Sequence, residues 1–304
     1  TCIIPLALWG KQGEVVNIDK NTLRKLYINK KRGSYEIAEI LNCSPSLVRK
    51  RLKEFRIKSR SVQEAKSLTT PRYPRNNFIG NLQEKSYLIG FRLGDLYISK
   101  THPNSPTIRV STNSTKEEQL TLFENLFSKY GHVKRYPRDK NGAVHIRAFL
   151  NNSFNFLLSK QDKIEKWIKH KYIIPFLAGY ADAEGTFCIC GGDGVFSIKS
   201  QDKNILLNLW RELNKIGILC KKPSLFRSEG SIDYRGIKSN KDVYIFNIYR
   251  KDSLLKIISL LKPYLKHRKR FKDMLVVEQN INDRNIKYDF RKDNRWYKTY
   301  NEWA

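Results

Sequence analysis

The stretch "FLAGYADAEGTF", residues 176–187, decides how the rest of the chain is read. It reads as a helix of small residues running straight into two carboxylates and a glycine. Gly179 and Ala183 lie four apart and so share one helix face, and a bare face lets a second backbone approach closely. Asp182 and Glu184 fall where the helix should end, and Gly185 is a natural residue just past that end. Carboxylates there face the negative pole of the helix dipole, which disfavours them by roughly 0.3 kcal/mol or more. A bound cation would reverse that preference.

The same pattern occurs earlier. In "YLIGFRLGDLYI", residues 87–98, Gly90 and Gly94 take the places of Gly179 and Ala183, and Asp95 takes the place of Glu184. Each copy is followed by a strand-like run, "TIRVST" (107–112) or "VFSIKS" (195–200). An amphipathic helix comes next, with Leu120, Phe123, Leu126 and Phe127 on one face in the first copy and Leu206, Leu209 and Leu213 in the second. Those helices end at Gly131 and Gly217. Further strand-like runs follow, "AVHIRAF" (143–149) and "DVYIFNIYR" (242–250), and a short helix closes each unit. The chain carries one αββαββα-like unit twice.

Two such helices, each ending in Gly-Asp or Ala-Glu before strands and helices in the same order, resemble the LAGLIDADG homing endonucleases. "LAGYADAEG" (177–185) is close to the family motif, and "LIGFRLGDL" (88–96) is looser. The resemblance implies an α+β fold, a pseudo-twofold pair of αββαββα units whose motif helices pack together and whose sheets form saddles in the DNA major groove. It also implies a function: double-strand cleavage at a long, partly asymmetric DNA site, using Mg²⁺, with Mn²⁺ or Ca²⁺ able to occupy the same site. Asp95 and Glu184 would then be catalytic metal ligands, and the main-chain carbonyls of Gly94 and Ala183 would complete the shell. Carboxylates so close together repel unless hard cations lie between them. Asp182, two residues from Glu184, points to another face and reads as structural; Leu93 stands at its place in the first copy. Leu96 replaces the usual glycine, which predicts a different helix end, and Arg92 must be exposed or paired.

The family also places a basic residue near the active site after the last strand. In "LLKPYLKHRKRFKDML" (260–275), Arg268 best matches that position and Lys266 comes next, with Lys269 and Arg270 as phosphate contacts. A cation there could stabilise charge developing on a phosphate. On the strands, alternation puts Arg109 opposite Ile108 and Val110, Arg147 opposite Ile146, Lys199 opposite Ile198, and Asn247 and Tyr249 opposite Ile248. Arg109, Arg147, Lys199, Asn247 and Tyr249 are the expected groove contacts.

Composition agrees with a polyanion partner. The 304 residues hold 58 Lys+Arg against 29 Asp+Glu, a formal charge of +29, and such a field attracts nucleic acid. No apolar run approaches the roughly 20 residues that a membrane helix needs. Five cysteines without a CxxC pair suit reduced thiols in a reducing, intracellular compartment such as cytoplasm, nucleoid or organelle.

Residues 1–60 read differently. "SYEIAEILNCSPSLVRKRLKEFRI" (34–57) gives a helix, a turn at Asn42-Cys43, and a second helix with Ser44 as N-cap and Pro45 in its first turn. Leu47, Val48 and Leu52 form its apolar stripe, leaving Ser46, Arg49, Lys50 and Lys53 outward. This resembles a helix-turn-helix on DNA, with 21–31 as the preceding helix; a small bundle for protein contact is the other reading. Residues 61–84 read as a linker laid along DNA through Arg72 and Arg75. The halves are then 85–173 and 174–282, followed by a basic, aromatic tail at 283–304. The whole reads as a monomer on double-stranded DNA, without membrane. Alternatives on the same fold are an RNA maturase assisting intron splicing, a catalytically decayed DNA-binding regulator, and an intein, which the chain's end without His-Asn argues against.

Overall fold

A computed structural model describes residues 17–61, 64–65, 73–100, 102–103, 105–158, 170–233 and 236–287. Arg72 and the tail beyond 287 lie outside the described residues. The chain divides into two compact units, one running to Pro74 and including His102–Pro106, the other formed by Arg75–Thr101 and Thr107 onward.

Among the described residues of the first unit, the regular elements are all helices. α1 (Lys20–Arg24) continues as a π-helical turn over Lys25–Asn29 and is capped by Asp19, whose carboxylate accepts from the amides of Asn21 and Thr22. α2 (Ser34–Ile40) and α3 (Pro45–Glu54) follow. Ser44 caps α3 by accepting from the Leu47 amide at 3.1 Å, and Asn42 turns the chain with φ at 47°. Leu23, Ile37, Ala38, Cys43, Val48 and Leu52 close one core. Ser46, Arg49, Lys50 and Lys53 are exposed on α3. Arg60 ties the chain after α3 back to the π-helical turn, with its guanidinium over the Tyr27 ring at 4.0 Å and its amide donating to the Tyr27 hydroxyl at 2.9 Å.

The second unit is built of two similar halves. The first runs α4 (Leu82–Asp95), β1 (Tyr97–Lys100), β2 (Ile108–Ser114), α5 (Glu117–Phe127), β3 (His132–Arg138), β4 (Val144–Leu150) and a 3₁₀ turn (Asn152–Leu157). The second runs α6 (Ile173–Glu184), β5 (Gly185–Cys190), β6 (Asp193–Ser200), α7 (Lys203–Lys215), β7 (Ser224–Arg227), β8 (Val243–Ile248), α8 (Lys251–Leu261) and α9 (Arg268–Lys287). Each half makes an antiparallel four-stranded sheet of the same order, β1-β2-β4-β3 and β5-β6-β8-β7. The protein is therefore an α+β chain with an internal repeat, and one core of buried apolar side chains runs through both halves. None of the described helices is long and apolar enough to cross a membrane.

Two boundaries differ from the sequence reading. Residues 75–84, read as the end of a linker, are part of the second unit. The Asn76 amide donates to the Tyr130 carbonyl at 2.9 Å and the Phe78 amide to Ser153 Oγ at 2.8 Å, while the Phe78 ring packs on Tyr130 and Phe154. Asn81 caps α4 through the Glu84 amide. Two prolines and an absent period hid the partners, one main-chain carbonyl and two side chains, that satisfy these backbone groups one at a time. At the other end, residues 283–287, read as tail, continue α9.

Candidate active site

The repeat meets itself at α4 and α6. A Cβ placed on Gly90 would lie on the carbonyl oxygen of Phe176, and one placed on Gly179 would lie on the carbonyl oxygen of Tyr87. Phe176 is the counterpart of Tyr87, so the contact is reciprocal, as a twofold axis requires. Nearer the helix ends, a Cβ on Gly94 would overlap that of Ala183. Only one methyl fits between the backbones there, which is why the pair is Gly and Ala.

This packing brings the two motif carboxylates together. Glu184 Cγ lies 2.8 Å from where a Gly94 side chain would begin, so the glutamate folds across the partner helix end. Asp95 is half-buried and accepts from the amide of Gln119 on α5. Burial raises its pKa to about 7, the negative charge of Glu184 adds to the rise, and Arg270 opposes it. Two acids crowded together beside two negative helix poles are a donor set that suits a hard divalent cation. Among the described residues, no cluster of three His, Cys, Asp or Glu side chains could hold a metal without main-chain or solvent oxygens.

Asp182 does something else. It is fully buried, and its Oδ2 accepts from the Tyr87 hydroxyl at 2.6 Å and from the amides of Lys266 at 2.7 Å and His267 at 3.1 Å. One carboxylate thus ties α4 and the start of α9 to α6. Burial raises its pKa to about 6, against the pull of those hydrogen bonds and of Arg270. In the first half, Leu93 is buried and fills the matching place.

The helix ends turn out alike. Leu96 has φ −105° and ψ 134°, and Gly185 has φ −75° and ψ 154°, so both are extended and neither needs a left-handed glycine. Space selects Gly185, because a Cβ there would stand 2.8 Å from the Ala181 backbone. The different helix end expected from Leu96 is not found. Arg92 is half-buried and paired, donating to the carbonyls of Leu157 at 3.1 Å and Leu96 at 2.9 Å.

The basic residues divide in a way the sequence did not indicate. Arg268 is exposed on the first turn of α9. Lys266 sets its amine over the Tyr87 ring at 4.6 Å, and Lys269 pairs with Asp273 at 2.6 Å. Arg270 is the cation at the motif itself, donating from Nε to the Asp182 carbonyl at 2.8 Å, from Nη2 to that of Ala183 at 2.5 Å, and from Nη1 to that of Gly185. The Ala183 carbonyl, expected from the resemblance to face a metal, here accepts from a guanidinium.

On the sheets, the register sets Ser111 beside Arg147 and Arg147 beside Lys134, with Arg109 beside Phe149. The faces carrying Ile108, Val110, Ile146 and Ala148 are buried. Arg147 donates toward His145 and lies over the Tyr136 ring at 5.5 Å. In the second half, Lys199 sits over the Phe226 ring at 3.9 Å, and Asn247 donates to the Tyr249 hydroxyl at 2.6 Å. Arg75 is held by Thr107 beside the first sheet.

No known family profile matches the chain, and no curated protein matches it. Solved homing endonucleases are similar to it. I-DmoI in complex with DNA and Ca is 20% identical, with a TM-score of 0.43 over 60% of this chain and 91% of that one. I-WcaI bound to its DNA recognition sequence is 17% identical, with a TM-score of 0.43 over 63% and 86%. The LAGLIDADG meganuclease I-AabMI bound to uncleaved DNA is 15% identical, with a TM-score of 0.45 over 67% and 92%.

The sequence reading missed one residue at the site and the role of another. Gln119 lies on the helix after the first motif, where an amide on an amphipathic helix carries no signal. The sequence places Arg270 on phosphates among four neighbouring cations, and the seating of α9 against β5 and β6 picks it out.

Proposed function

We propose that the chain is a site-specific, double-strand DNA endonuclease that acts as a monomer with a divalent metal, Mg²⁺, whose site Mn²⁺ or Ca²⁺ can occupy. The observation that carries this reading is the meeting of Asp95 and Glu184 at the ends of two helices packed through Gly90 and Gly179. Asp95, Glu184 and the Gly94 carbonyl would hold the ion, which supplies activation of water and charge stabilisation at the phosphate. Gln119 orients Asp95 by donating to one of its oxygens, and Arg270 neutralises the pole of α6. The strand residues Arg109, Arg147, Lys199 and Asn247, with Tyr249 just past the end of β8, face the groove, with positive charge supplying affinity and base-edge contacts supplying sequence. α3, through Ser46, Arg49, Lys50 and Lys53, adds a second DNA grip in the manner of a helix-turn-helix. A mobile intron is the genetic setting such an enzyme suits. The described cysteines are all free thiols, which is compatible with a reducing intracellular compartment.

Incubation with a randomised duplex library and Mg²⁺, followed by sequencing of the ends, tests the reading. Cleavage at one long sequence is expected; binding without cleavage would leave a DNA-binding regulator. Asp95→Asn and Glu184→Gln should each abolish cutting while duplex binding persists, and near wild-type cutting by either would exclude the shared-metal site.

A further inference from the structure

The end of α6 is already served by a cation. The carbonyls of Asp182 and Ala183 at the end of α6, and of Gly185 just past it, converge on the one guanidinium of Arg270. A helix C-terminus carries about half a negative charge on such unpaired carbonyls, and the rigid fork of an arginine can span several of them as a lysine cannot. The arrangement is built into the fold. Arg270 belongs to the first turn of α9, and the two amides just before that turn, of Lys266 and His267, are fixed by the buried carboxylate of Asp182. Arg270 therefore cannot leave with its helix; only its side chain can turn. The first half is different, because Arg92 directs its donors to Leu157 and Leu96.

We propose that Arg270 is a positioning residue that competes with the divalent cation for the Ala183 carbonyl, so that its side chain must turn away before the second-half end of the site can take metal. The proposal rests on the reading of Asp95 and Glu184 as metal ligands. It makes the two ends of the site unequal: the Gly94 side takes the ion directly, and the Ala183 side takes it in exchange for a guanidinium. A released Arg270 would be free to meet a phosphate.

Mn²⁺ binding to the full chain without DNA tests this, with free Mn²⁺ followed by electron paramagnetic resonance. Arg270→Gln should tighten Mn²⁺ binding by about fivefold or more, the scale of an ordinary coupling between two sites. Arg270→Lys should fall between it and the wild type. Unchanged or weaker binding by a folded Arg270→Gln protein would overturn the proposal. Should that variant fail to fold, the wild type answers instead: phenylglyoxal modification at Arg270, mapped by peptide mass spectrometry, should accelerate when Mn²⁺ is added. An unchanged rate would equally overturn it. Mn²⁺ binding that ignores Asp95→Asn and Glu184→Gln would sink the metal site itself, and this proposal with it. Binding that needs both acids but ignores Arg270 would sink this proposal alone.

Discussion

Asp95 makes the stability of the metal-free protein depend on pH, with a definite sign. Its folded pKa of about 7 lies above the ordinary carboxyl value. The folded state therefore binds the proton more tightly, so this contribution to stability is full below about pH 4 and is lost as pH rises toward 7. His267 works in the opposite sense: burial, then Arg270, lower its pKa to about 4, so its neutral form in the fold costs stability as pH falls from about 6.5. Melting temperatures of wild type and Asp95→Asn between pH 5 and 8 separate the two. The variant should gain on the wild type as pH rises, by on the order of 2–4 kcal/mol across the window. A pH-independent difference would show that Asp95 is not so perturbed. A second prediction concerns Asp182. Tyr87→Phe removes one of three donors to a buried carboxylate, and such a loss costs on the order of 1–3 kcal/mol. Denaturant unfolding should register it; an unchanged midpoint would mean the two main-chain amides suffice.

Among the elements, the contact between α4 and α6 constrains the sequence most tightly. Gly90 and Gly179 each face a backbone carbonyl of the other helix, which has no rotamer with which to move aside. Even a methyl group must push the helices apart. Gly90→Ala and Gly179→Ala should therefore each destabilise the fold by on the order of 1–3 kcal/mol or more, the usual range for an overpacked contact. Gly142, where an added Cβ meets nothing within 4 Å but φ is +76°, serves as a control for backbone strain alone. Equal melting temperatures for wild type and Gly179→Ala would mean that the helices do not meet on this face. The same argument explains why α6 reads so clearly as a motif. Its residues are selected for absence of side chain on one face and for acid at its end.

At the scale of the molecule, the candidate active site and the exposed cations of α3 fall in different units. The acids of the candidate active site and the residues around them lie in Arg75–Thr101 and beyond Thr107, while the exposed cations of α3 belong to the other unit. A chain starting at residue 75 should keep the fold of the second unit and its DNA cutting. Starting at 85 should not serve as well, since it discards the Phe78 packing and the Asn81 cap. The truncated chain should bind DNA more weakly, with a shorter footprint on one side. Its salt dependence should also be flatter, because each lost phosphate contact removes about 0.9 of log–log slope on duplex DNA. Footprinting and affinity at several salt concentrations read all three. An unchanged footprint and slope would make the helical unit a protein-contact or folding module.

Features that depend on local spacing were legible along the chain. Small residues four apart marked the face where two helices can touch, acids at matched places marked the paired ends, and the period of apolar residues gave the strands β2, β4, β6 and β8 with the helices between them. Ser44 and Pro45 announced the start of α3 for the same local reason. Features that needed the folded chain involve groups far apart in sequence whose partners have no fixed offset. Gln119 reaches Asp95 only because α5 lies over the end of α4. Arg270, rather than Arg268, meets the end of α6 because Asp182 clamps the turn before α9 and so sets the rotation of that helix. A run of four cations looks uniform in one dimension. Helical rotation gives each a different direction, and one carboxylate buried in the core chooses which of them faces the carbonyls.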